Sequence, residues 1–221
     1  MLGEFSMSFT SSKKYLAVIE KIDAANARDP RRVELDGQDL AFETVYTQHM
    51  MEVLKRLYPD AGELLHIAAR AQHIERWTIP RDTYPEGREG YNKWRFELRA
   101  LHAKIVGAFM ADEGYEEGDI ELVGQYLQKQ RLKKEADSQA LENVVDVVFL
   151  EFYWDDFATK YSHYDDDKMI DIVGKTLRKM SSHGHKAALA LDLPAEQARL
   201  VMAAVEREKD RLAEMAAVEK F

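Results

Sequence analysis

The sequence predicts an all-α fold, a single compact multi-helix bundle. Three observations carry that expectation. Apolar residues recur at spacings of three and four through most of the chain, no segment sustains the alternation of a half-buried strand, and no internal repeat is visible. At 221 residues the chain is long enough for one domain with a real core plus short tails. Residues 12–221 read as that helical domain. Residues 1–11, opening MLGEFSM, read as a tag remnant and disordered N-terminus ahead of a start near Met7.

The elements follow in order. After Ser11 or Ser12 as N-cap, Tyr15, Val18, Ile19 and Ile22 make one face of a first helix that Asp29-Pro30 ends. A polar loop runs to Gly37. A second helix opens near Asp39 and continues to about Leu57, with Phe42, Val45, Tyr46, His49, Val53 and Leu57 on one face, so His49 lies on the apolar stripe. Asp60 caps a third helix that reads as continuous to Trp77, lining up His66, Arg70, His73 and Trp77 beside a stripe of Leu64, Leu65, Ala68 and Ala69.

The segment TIPRDTYPEGREG then breaks the pattern with two prolines and two glycines, a loop longer than bundles need and of the kind that carries function. From Gly90 a long helix reaches about Asp112, with Trp94, Leu98, Leu101, Ile105, Ala108 and Phe109 on one side. A shorter helix spans about Glu117 to Gln130. The next is the most apolar, with Leu141, Val144, Val145, Val148, Phe149 and Phe152 at three and four, and Gln139, Glu142 and Asp146 as a narrow polar stripe. A helix follows the acidic turn at Tyr164–Asp167, SSHGH stops and restarts it, and the segment from Pro194 to the end reads as a terminal helix with a solvated outer face.

Composition narrows the function. No Cys is present, which removes disulfides, thiolate metal sites and cysteine nucleophiles. No apolar run approaches the roughly 20 residues that span a bilayer, so the expectation is a cytoplasmic protein with no membrane partner. A formal charge of -9 argues against a surface that grips nucleic acid throughout. The stretch from Gln72 to Arg95 stands apart, with two of the three Trp, four Arg, two Tyr and His73, and a balance near +1 that leaves the remainder near -10.

Guanidinium forks match carboxylate or phosphate oxygens, and indole and phenol rings stack on planar groups. Arg76, Trp77, Arg81, Tyr84, Arg88, Tyr91, Trp94 and Arg95 are therefore the candidate binding set for an anionic small molecule. His73 is the candidate general acid/base, with Glu142 and Asp146 as orienting carboxylates. His49, His73 and Asp146 also sit on three helices at separations that resemble the HD-type phosphohydrolases, which hold a divalent metal through a His, a His-Asp pair and a late Asp. Ile74 stands where the paired Asp belongs, and this departure weighs against a metal cofactor.

Three segments resemble one family throughout: IDAANARDP at Ile22–Pro30, AARAQHIERWTIPRDTYPEGREGYNKWR at Ala68–Arg95, and GKTLRKMSSHGHKAAL at Gly174–Leu189. They are similar to the bacterial and fungal proteins known as domain of unknown function 4202, a helical family distantly HD-like. The resemblance implies no particular activity. It marks His73, Arg76, Trp77, Arg81, Tyr84, Arg88, Tyr91, Trp94 and Arg95 as characteristic, with Glu142, Gly184 and His185 further on, and neither His49 nor Asp146. The expectation is an Arg/aromatic pocket for a phosphate- or carboxylate-bearing small molecule such as a nucleotide. Hydrolysis is the reaction implied if the protein is an enzyme, a degenerate HD-like hydrolase. The alternative is a non-catalytic module docking RNA or an acidic protein partner.

Overall fold

The computed structural model describes residues 12–220. The tag-remnant reading of residues 1–11 falls outside them. The fold is all-α, ten helices and one small hairpin among the described residues, and the chain separates into two compact units, 1–130 and 131–221.

In the first unit, α1 (Lys13–Asn26) begins where Ser12 Oγ accepts the Tyr15 amide at 3.0 Å, and it buries Tyr15, Val18, Ile22 and Ala25. Its last turn explains the first signature segment. Asp23 takes a two-pronged pair from Arg70 at 2.6 Å, Asn26 donates to Thr47 Oγ1 at 3.0 Å, and the buried Asp29 accepts from Arg31 and from the Glu43 amide at 3.1 Å. Asp29 thus supplies from a distance the N-cap that α2 (Phe42–Leu57) lacks at Ala41.

The expected polar loop is instead a hairpin, β1 (Arg32–Leu35) paired antiparallel with β2 (Gln38–Ala41), with Arg32 opposite Ala41 and Leu35 opposite Gln38. Asp36 (φ 51°) and Gly37 (φ 75°) form the two-residue turn. An Asp-Gly pair between short alternating runs is the signal for such a turn, and the alternation here spans only four residues a side.

The third helix also departs from expectation. α3 (Glu63–Arg70) ends seven residues before Trp77. The chain then tightens through successive turns, Ile74 N–H to Ala71 O and Arg76 N–H to His73 O, each 3.0 Å, and passes through a left-handed residue at Glu75 (φ 52°). Short 3₁₀ turns follow at Arg76–Thr78 and Arg81–Thr83. Ile74 is fully buried, so this turn is pinned by an apolar side chain rather than by the Asp of an HD pair. His66, Arg70, His73 and Trp77 therefore do not share a helical face.

α4 (Gly87–Asp112) packs on α5 (Glu117–Gln128) and on α1. Its buried row is Gly90, Trp94, Leu98, His102, Val106 and Met110, every fourth residue; the expected Trp94 and Leu98 are on it, the later part runs one step round from the expected Leu101 and Ile105, and Ala108 is exposed. A Cβ at Gly90 would lie 2.0 Å from the Pro85 carbonyl oxygen, so this position tolerates no side chain where the loop folds back on the helix.

The second unit is built on α6 (Ala136–Val148), which continues as a π-helical turn at Phe149–Tyr153 into α7 (Trp154–Lys160). α8 (Asp166–Leu177), α9 (Ser182–Leu189) and α10 (Ala195–Ala217) complete it, with α9 against α6 and α10 against α8. No helix among the described residues is long and apolar enough to cross a membrane.

Candidate anion-binding site

The site lies in the first unit, where the turn after α3 meets α2 and the first half of α4. His73 stacks on Tyr46 of α2, ring centroids 4.0 Å apart and 20° from parallel. Arg76 Nη1 lies 2.6 Å from His73 Nε2. A guanidinium can only donate, so Nε2 accepts, and the neutral imidazole carries its proton on Nδ1. Nδ1 faces Glu43 Oε2 at 3.7 Å, slightly beyond hydrogen-bond length. Burial holds the His73 pKa well below its ordinary value, and Arg76, His102, Arg95 and Lys129 push it the same way.

Glu43 is the counter-charge beneath this ring. It is 1% exposed, takes Arg31 at 2.7 Å on Oε1, and leaves Oε2 without a hydrogen bond. Burial pushes its carboxyl up to about 7, against the pull of Arg31 and Arg76. Arg76 in turn lies over the Trp94 ring, 4.9 Å from its centroid, and Trp94 is fixed by donating Nε1–H to Ile79 O at 2.8 Å. The indole thus orients the guanidinium that caps His73.

Gln72, His73, Arg76, Arg95, Leu98, Arg99 and His102 line a small recess, open to solvent, with a cavity volume of about 10 Å³. Three guanidiniums and two imidazoles face it, and none of its lining residues is acidic. Arg95 has no hydrogen bond or ion pair among the described residues. His102 is 4% exposed with Nε2 unsatisfied; burial drives its pKa down to about 3, helped by Arg76, Arg95 and Arg99 and opposed by a backbone hydrogen bond with Gln72. Guanidiniums around neutral imidazoles give the recess a positive potential.

The expected binding set divides. Arg76 and Arg95 line the recess. Arg81 is spent within its own loop, donating to Tyr84 O at 3.0 Å and Pro85 O at 3.1 Å, and Tyr84 donates its hydroxyl to Glu97. Arg88 is exposed, as is Tyr91, which tilts against Trp94 at 5.8 Å. Trp77 is half-buried and has no ring contact with Trp94 among the described residues. Glu43, Arg99 and His102 were not singled out by sequence. Glu43 and His102 each lie on the buried row of their helix, where a lone ionisable residue is the available signal.

Glu142 and Asp146 belong to the second unit. Both are buried, and both hold Lys179, Glu142 Oε1 at 3.2 Å and Asp146 more closely. Burial works against the ammonium and the two carboxylates outweigh it, carrying its pKa up to about 12. Gln139 donates to Lys179 O at 2.9 Å, Asn143 Nδ2 donates to Ser181 Oγ at 2.7 Å, and the Ser181 amide returns to Asn143 Oδ1 at 2.9 Å. The polar stripe of α6 therefore grips the third signature segment. Gly184 is required there, since a Cβ would lie 2.5 Å from Asn143 Oδ1.

The metal set fares differently from the anion set. His49 is half-buried on α2, His73 Nε2 is taken by a guanidinium that repels any cation, and Asp146 is bound to Lys179. No group of three or more His, Asp or Glu among the described residues is placed to hold a metal ion. These donors do not fit a divalent cation.

A family model, described as domain of unknown function (DUF4202), matches residues 16–201. The chain belongs to that family. Neither the curated proteins nor the solved structures contain a match to it. The DUF4202 match covers α1 through the first turns of α10, and so takes in the His73 recess and the Lys179 cluster alike.

Proposed function

We propose that this DUF4202 protein binds a phosphate- or carboxylate-bearing small molecule, with the anionic head in the recess against Arg76, Arg95 and Arg99. The observation that carries this reading is the lining itself: three guanidiniums and two neutral imidazoles with no acidic residue among them. The enclosed space is about that of one water, so the anionic head would sit at the open mouth beside the guanidiniums. A nucleotide would leave its base outside, where Tyr91 is 46% exposed and available for stacking.

If the protein turns its ligand over, hydrolysis is the reaction this donor set favours, with His73 as general acid/base. Glu43 is then the orienting carboxylate, because Glu142 and Asp146 are engaged by Lys179. In this reading the HD-like hydrolase character is architectural and needs no metal at His73.

The test is calorimetric titration with inorganic phosphate, pyrophosphate, AMP and succinate. Each charged hydrogen bond is worth about 1.5–3 kcal/mol, so Arg76→Ala with Arg95→Ala should weaken the preferred anion by roughly a hundredfold or more. Unchanged binding of every anion would refute the reading.

A second reading rests on the surface of α4, where exposed Arg88, Tyr91, Lys93 and Phe96 combine cations with rings suited to RNA. Salt separates the two. RNA affinity would fall steeply with ionic strength, whereas an enclosed small-anion site would respond weakly.

A further inference from the structure

Two features of the recess exceed what holding an anion requires. Arg76 spends a donor on His73 Nε2 at 2.6 Å although it lines a pocket for anions, and Glu43, an acid, is buried directly behind His73 with Oε2 unsatisfied. Each is costly alone. Together they form a pair with a second arrangement available.

The geometry points to a proton-coupled site: one tetrahedral oxyanion of phosphate type draws Arg76 off His73, and His73 takes up a proton, its imidazolium held between the oxyanion at Nε2–H and Glu43 at Nδ1–H. This rests on the reading of the recess as an anion site and extends it in two ways.

The first is ligand class. Arg76 comes from a 3₁₀ turn, and Arg95 and Arg99 from successive turns of α4. With the protonated His73, these groups offer more donors than the two oxygens of one carboxylate can accept from separate directions. A tetrahedral oxyanion presents three or four oxygens and up to two negative charges.

The second is the proton. Nε2 cannot accept from Arg76 and also carry a proton, so protonation and release of Arg76 are one event. The charged and titratable groups facing His73 are Glu43 and Tyr46 from α2, Arg76 from the turn, His102 and Arg95 from α4, and Lys129 at the end of α5, with Arg31 behind Glu43. The cations among them keep the ring neutral. A bound dianion cancels that field, and the ring then needs to approach Glu43 Oε2 by less than an ångström from 3.7 Å to make a charge-assisted hydrogen bond.

Sulfate is the clean probe, because it does not titrate near neutral pH. Calorimetry at pH 7.5 in two buffers of different ionisation enthalpy should show uptake of about one proton per sulfate bound, and affinity should fall by up to tenfold per pH unit between the pKa of free His73 and that of the bound form. Nitrogen-15 NMR of the unaltered protein should show the His73 ring change from the Nδ1–H neutral form to imidazolium as sulfate is added. Glu43→Gln, which removes the charged acceptor for Nδ1–H, should weaken sulfate binding at pH 7.5 and reduce the proton uptake together. Sulfate binding with no proton uptake and an unchanged His73 ring would overturn this inference and leave the anion site standing. No binding of sulfate or phosphate at all would overturn both.

Discussion

Glu43→Gln also makes a prediction about folding, and its sign can be worked through. The Glu43 carboxyl titrates near 4.5 when the chain is unfolded and near 7 in the folded protein. Between those values the folded state holds a proton that the unfolded state has released, so stability falls as pH rises through the window. The contribution is fully present below about 4.5 and gone above about 7. A shift of roughly 2.5 units corresponds to about 3 kcal/mol. His102 acts in the opposite sense. Its folded pKa near 3, against 6.5 unfolded, means that stability is lost as pH falls below 6.5, by about 2 kcal/mol at pH 5. The two effects overlap and partly cancel in the parent protein, so the informative quantity is the difference between variant and parent. Urea unfolding of both from pH 4.5 to 8 should show Glu43→Gln gaining about 3 kcal/mol on the parent as pH rises. Parallel stability curves would refute the placement of Glu43 as a buried, poorly compensated acid beneath His73.

Other outcomes follow from single contacts. His102→Gln should gain about 2 kcal/mol on the parent as pH falls from 6.5 to 5, read by the same urea series. Gly184→Ala forces its Cβ against Asn143 Oδ1 and should cost about 2–3 kcal/mol, seen as a lowered Tm, with partial recovery on adding Asn143→Ala. Lys179→Met leaves Glu142 and Asp146 buried without their cation and should destabilise by about 3 kcal/mol in urea, with no effect on sulfate affinity if the recess alone binds anions. Trp94→Phe removes the hydrogen bond to Ile79 O and loosens the face on which Arg76 lies. It should cost about 1 kcal/mol of stability, and it should weaken sulfate binding by several fold.

The helical class was legible because core burial in most of this chain follows helical spacing. Tyr15, Val18 and Ile22, or Leu141, Val144 and Val148, are both periodic in sequence and buried in the structure. Two departures have a common physical origin. The hairpin at 32–41 is too short for period-two alternation to stand out, and its Asp-Gly turn is a two-residue signal. The turn at 71–75 looks helical because Ala71, Gln72 and Ile74 are all good helix-compatible residues. What ends the helix is tertiary: Ile74 enters the core and Glu75 is held by Arg28, neither of which periodicity can express.

An unbroken α3 would already have set His73, Arg76 and Trp77 on one face, since positions three and four apart are neighbours on a helix. The turn at Glu75 keeps Arg76 on the His73 ring and lays it over Trp94. The dense Arg and aromatic residues from 72 to 95 divide between the recess, which Arg76 and Arg95 line, and the loop that supports it. Arg81 and Tyr84 shape the loop, Gly90 lets it lie against α4, and Trp94 orients Arg76, so much of the conspicuous chemistry is scaffold for one guanidinium. Other residues at and behind the recess come from less conspicuous stretches, Glu43 from the first turn of an apolar helix, His102 from a row otherwise filled by Gly, Trp, Leu, Val and Met, and Arg99 from beside that row. A lone acid or imidazole at such a position stays ionisable only at the cost of its solvation, and in this family member both lie beside His73.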